Sequence, residues 1–161
     1  MRWRAAQWLA GGVGLGCLWL AVVFLAGAIH TEPGYGEARV LEVVDGATLV
    51  VDRGEGAETV RMIGVVAPGA RDCFGPEATI WLAQRLISGT VTLQGDDTVP
   101  DRDGRGRLLA HVWVGERLIS AEAAASGLVA TDGTAHRHAG EVEAAEALAR
   151  DVGAGLWGAC R

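Results

Sequence analysis

Twenty-two consecutive uncharged residues, Trp8 to Ile29, constrain this chain more than any other feature. A helix over them is about 33 Å long at 1.5 Å per residue, enough for a hydrocarbon core of ~30 Å. Arg2 and Arg4 precede the run, so the positive-inside rule predicts a cytoplasmic N-terminus with the rest of the chain outside. Residues 1–30 are therefore expected to be a signal anchor or transmembrane helix, single-pass in the cell membrane. The alternative is secretion after cleavage following Ala28, since Ala26-Gly27-Ala28 has the small-x-small form of a processing site. Residues 31–37 are expected to be a short linker and residues 38–161 an extracytoplasmic domain.

That placement governs charge and cysteine. The chain has 14 basic residues, all arginine, and 20 acids, for a net charge of −6. Arg2 and Arg4 fall in the apolar leader, so the remainder carries 12 Arg against 20 acids, a net of −8. Tight binders of bare phosphate backbone are usually basic, which disfavours a nucleic-acid partner without excluding one. Cys17 lies in the apolar run, leaving Cys73 and Cys160. Outside the cytoplasm such a pair is expected to form a disulfide; the rival reading is two free thiols at a metal or redox site.

The domain reads as strands followed by helices. Apolar runs Ala38–Val44, Thr48–Asp52 and Thr59–Val66 are separated by Asp45-Gly46 and Arg53-Gly54-Glu55-Gly56, which predicts a three-stranded meander. Gly75-Pro76-Glu77 opens a helix carrying Ala78, Trp81, Leu82 and Leu86 at helical spacing. Val91–Leu93 and Leu108–Val114 are two further strands. Ser120 is expected to cap a short Ala-rich helix ending at Gly127. A last helix over about 140–152 is expected to bury Val142, Ala145, Leu148 and Val152. The pattern is α+β and fits a five-stranded OB-type barrel with three helices.

Six strings, in order, carry a resemblance: Val44-Asp45-Gly46-Ala47-Thr48, Val60-Arg61-Met62-Ile63-Gly64-Val65, Ala67-Pro68, Phe74-Gly75-Pro76-Glu77-Ala78, Gly106-Arg107-Leu108-Leu109-Ala110 and Gly155-Leu156-Trp157-Gly158. Over roughly residues 37–160 the chain resembles the staphylococcal nuclease-like (thermonuclease) family. The resemblance implies an OB-type barrel with three helices and an ancestral calcium-dependent phosphodiesterase acting on DNA and RNA. It also implies a bridge between Cys73 and Cys160.

The implied chemistry needs carboxylates to hold a hard cation, a base to activate water and guanidiniums to hold the phosphate. Ala47 and Val66 stand at the two positions that the family fills with metal-ligating aspartates. Ala67 stands where a backbone carbonyl ligates, and Gly69 replaces the proposed general base. Asp45 is nearby. The retained phosphate-binding positions are Arg61 and Arg107, with Arg105 the competing match for the latter. No intact metal site and no cofactor are expected, calcium being the cofactor of the active alternative. The expectation is a pseudoenzyme acting as a binding module for an unknown protein or anionic ligand. The alternative is an active calcium-dependent endonuclease with displaced carboxylates.

Other features read as structural. Asp96, Asp97, Asp101 and Asp103 are expected to form a solvated acidic loop, and Asp72 offers little as a substitute base. His136 and His138 are expected in a surface loop, with no third metal ligand nearby in sequence. Phe74, Trp81, Trp113 and Trp157 are expected in the core.

Overall fold

The structure, a computed structural model, describes residues 34–160. The expected anchor over 8–29, with the whole 1–30 segment, lies outside the described residues. Among the described residues no helix is long and apolar enough to cross a membrane.

Strands β1 (Gly34–Asp45), β2 (Thr48–Asp52) and β3 (Ala57–Met62) form the predicted antiparallel meander. Its first turn is set by Asp45, whose Oδ1 accepts the Ala47 amide at 2.8 Å. β1 begins at Gly34, so residues 34–37, expected as spacer, instead pair with β5 (Thr90–Gln94). β5 pairs with β6 (Leu108–Val114), and β6 returns to β3 in parallel register, Arg61 opposite Leu109. This contact closes a five-stranded barrel, leaving none of its long strands with an unpaired edge. Leu49, Val51, Val60, Met62, Leu93, Ala110 and Val112 fill it. The expected third strand is split: Gly64 turns the chain at φ +80°, and β4 (Val65–Val66) pairs with β8 (Ala130–Thr131). The short β7 (Arg117–Leu118) extends β6.

Helix α1 (Gly75–Arg85) has Pro in its first turn, Glu77 near its N-terminus and Arg85 near its C-terminus, each favourable to the helix dipole. Helix α2 (Ile119–Ala125) begins before Ser120, which is buried inside the helix and caps nothing. Helix α3 (Ala139–Asp151) buries Val142, Glu146 and Ala149; Leu148 and Val152, expected on the buried face, are exposed. The face turns because Glu146 is satisfied inside: its carboxylate accepts Thr131 N–H at 3.1 Å and Thr131 Oγ1–H at 2.8 Å. A fourth short helix, α4 (Leu156–Ala159), ends at Cys160, which is bonded to Cys73 across 87 residues.

The aromatics stay at the edge of the core. Trp81, Trp113, Trp157 and Phe74 are half-buried. Arg150 lies 3.6 Å over the Trp157 ring and Arg85 5.1 Å over Trp81, so arginine stems and guanidiniums cover the indole faces.

Candidate functional site

Strand parity determines where the two motif arginines face. Leu108, Ala110, Val60 and Met62 point into the barrel, so Arg61, Arg107 and Leu109 share the outer face of the β3–β6 seam. Arg61 lies in a cleft of about 280 Å³ with Gly64, Pro100, Asp103, Leu109 and Asp132. Its Nη2 donates to the Val65 carbonyl at 3.1 Å. Arg107 opens onto a neighbouring groove of about 430 Å³, which also contains Arg53, Arg102, Arg105, Glu55 and Glu58. Asp103 stands between the two depressions. Its Oδ2 lies 2.7 Å from both Nε and Nη2 of Arg107, and its Oδ1 accepts the Arg105 and Arg107 amides. Burial raises the Asp103 pKa, but these donors outweigh it and hold the carboxylate below its ordinary range. Arg53 and Arg102 flank Glu58 in the same manner. The Arg105 guanidinium has no protein partner among the described residues.

The positions that would hold a cation contain no free oxygen-rich set. Ala47 has no exposed surface, its amide is held by Asp45 and its carbonyl accepts from Met62 N–H at 2.9 Å. The turn before it packs on α1 so closely that a Cβ on Gly46 would lie 2.6 Å from the Ala78 methyl. Val66 presents an isopropyl group to solvent and Ala67 is half-buried. At Gly69 the turn closes on itself: Asp72 Oδ2 accepts the Gly69 amide at 2.9 Å. Asp101 is held by the Tyr35 hydroxyl at 2.9 Å; burial, then this bond, pushes the Tyr35 pKa up to about 12. Two carboxylates do reach the Arg61 cleft. Asp103 is already paired, and Asp132 accepts the Thr134 amide at 2.9 Å.

A second cluster was not legible in the sequence. Asp96 is 4% exposed and His111 1%, so the expected solvated loop carries one buried carboxylate. Asp96 Oδ2 lies 3.1 Å from His111 Nε2 and accepts the Arg137 amide at 2.7 Å; Oδ1 accepts both donors of Thr98. Burial opposes ionisation of Asp96, yet these bonds drive its pKa far below the usual carboxylate range. His136 and His138 are half-buried rather than on the surface, their rings 5.2 and 4.7 Å from that of His111. Burial pushes the His111 and His136 pKa values down, so both rings are neutral near pH 7. The only signal for His111 was its place within the apolar run of β6, a strand covered on both faces.

A family model described as staphylococcal nuclease homologue matches residues 59–159, more than half of the chain. The chain belongs to the staphylococcal nuclease homologue family. It is 33% identical over 96 residues to a thermonuclease of Staphylococcus hyicus, covering 56% of each chain. A thermonuclease of Staphylococcus intermedius is 32% identical over 95 residues, 55% of each. Protein ParB of Escherichia coli is 32% identical over 102 residues, covering 62% of this chain and 55% of that one. The chain thus spans just over half the length of the curated relatives it matches.

Proposed function

We propose that this thermonuclease-like domain is a non-hydrolytic member of its family that binds an anionic ligand through its arginines. In this reading residues 8–29 hold it at the outer face of a membrane. The observation that carries the reading is Ala47, which has neither a side-chain oxygen nor a free backbone group at a motif position for a metal-ligating carboxylate. Calcium takes six to eight oxygens, and the methyl and isopropyl groups of Ala47 and Val66 supply none. Loss of the base at Gly69 compounds this, since a positioned general base typically contributes ~10²–10⁴-fold. Losses within one site need not multiply. The groove with Arg53, Arg102, Arg105 and Arg107 against Glu55 and Glu58 is locally cationic in an otherwise acidic domain. It suits a ligand bearing phosphate or carboxylate groups.

An active nuclease with displaced carboxylates has one observation in its favour. Asp72 Oδ2 lies 2.8 Å from where a Cβ on Gly69 would be, so a carboxylate approaches the vacated base position. That oxygen is already committed to the Gly69 amide. Incubation of the full chain with single-stranded DNA and RNA, with calcium or with chelator, tests the proposal. No cleavage is expected; calcium-dependent cleavage abolished by Arg61→Ala would overturn it.

A further inference from the structure

We propose that Asp96, His111 and His136 form a site for one divalent transition-metal ion of the zinc type, separate from the family's calcium position and independent of the reading above. One ligand atom from each side chain lies within 4.8 Å of the others. Asp96 Oδ2 and His111 Nε2 are 3.1 Å apart. Two ligands of a tetrahedral zinc, at bonds of about 2.0–2.1 Å, stand roughly 3.3 Å apart. That pair is therefore already at ligand spacing. His136, whose Nδ1 accepts the His138 amide at 3.2 Å, would complete the triangle by closing in about 1.5 Å at most.

A second observation points the same way. Buried polar atoms are almost always hydrogen-bonded. One imidazole nitrogen beside this triangle, His138 Nε2, is buried with no partner, on a ring whose centroid is 4.7 Å from that of His111. His138 is thus the candidate fourth ligand. Its Nδ1 stands 3.7 Å from Glu141, a carboxylate placed to orient the ring. A set of imidazoles with one carboxylate selects zinc and its neighbours over calcium. The Asp96 and His111 side chains have no solvent exposure, which fits an ion with a structural role. It would clasp the loop after β5, strand β6 and the segment entering α3. Asp132 and Thr134 of that last segment wall the Arg61 cleft, so the clasp would also fix the cleft.

The test uses the full chain without a polyhistidine tag, stripped with chelator and titrated with zinc chloride. Bound metal per chain and the thermal midpoint are read, and cobalt(II) serves as a spectroscopic substitute. The expected result is one zinc per chain, a raised Tm and visible cobalt bands of a four-coordinate imidazole site, all unaffected by excess calcium. His136→Ala is expected to lose the uptake and the Tm rise while keeping its near-ultraviolet circular dichroism. Failure of the stripped chain to take up zinc would overturn the proposal, leaving a hydrogen-bonded cluster only. So would uptake undiminished in His136→Ala. Should that variant not fold, wild-type cobalt spectra lacking imidazole coordination would overturn it equally.

Discussion

Asp103 grips Arg107 four residues along the same loop, one carboxylate oxygen 2.7 Å from two guanidinium nitrogens. The same carboxylate holds two backbone amides, so it both shapes the turn over 103–107 and neutralises one of the two motif arginines. Asp103→Ala is expected to weaken the domain by about 1.5–3 kcal/mol, the usual worth of hydrogen bonds to a charged group. It should also leave Arg107 without its counter-ion. Chemical denaturation checks the first effect, and tighter inorganic phosphate binding by calorimetry checks the second.

Glu146 makes stability depend on acid. Burial raises its pKa, but the two Thr131 bonds and Arg150 outweigh burial and lower it overall. A depressed folded-state value means that this stability is fully present above the unfolded value of about 4.3 and is lost as pH falls through the folded one. Glu146→Gln should flatten the fall of Tm below that pH, at a cost near neutrality of about 1.5–3 kcal/mol. Thermal melts of both proteins from pH 7 to pH 3 provide the comparison.

The bridge from Cys73 to Cys160 ties α4 to the entry of α1 across 87 residues. Closing so long a loop restricts the unfolded chain by about 4–5 kcal/mol in the entropic model. Cys73→Ser with Cys160→Ser is expected to lower Tm on the order of 15 °C. A melting curve unchanged by both substitutions would contradict that.

At Gly64 the backbone adopts φ +80°, and a Cβ there would lie 2.1 Å from His136 Nε2. Gly64→Ala therefore carries about 1–2 kcal/mol of left-handed strain and also displaces the imidazole. Denaturation should show a loss larger than the strain alone, and zinc uptake should fall with it.

Much of the barrel was legible because its signals are local. Asp45-Gly46, the apolar run of β2 and Pro76 beside Glu77 each specify structure within a few residues. The faces of α3 were not, because Leu148 and Glu146 exchange roles only once Thr131 arrives from another element to satisfy the carboxylate. The histidine cluster escaped for the same reason. Residues 96, 111 and 136 meet only when β5, β6 and the approach to α3 are folded together. Loop composition suggested solvent for Asp96, whereas Thr98, Arg137 and His111 supply enough donors to bury it. The pairing of Arg107 with Asp103 likewise required the fold, because Asp103 reaches the guanidinium only once the turn over 103–107 is closed.

Calorimetric titration of calcium into the chelator-stripped full chain, with excess zinc held constant, tests the central claim most directly. No saturable calcium uptake is predicted at millimolar concentrations, and none should appear on adding an oligonucleotide. Saturable binding that disappears in Asp132→Ala would contradict the account, because it would reveal a cation site beside Arg61.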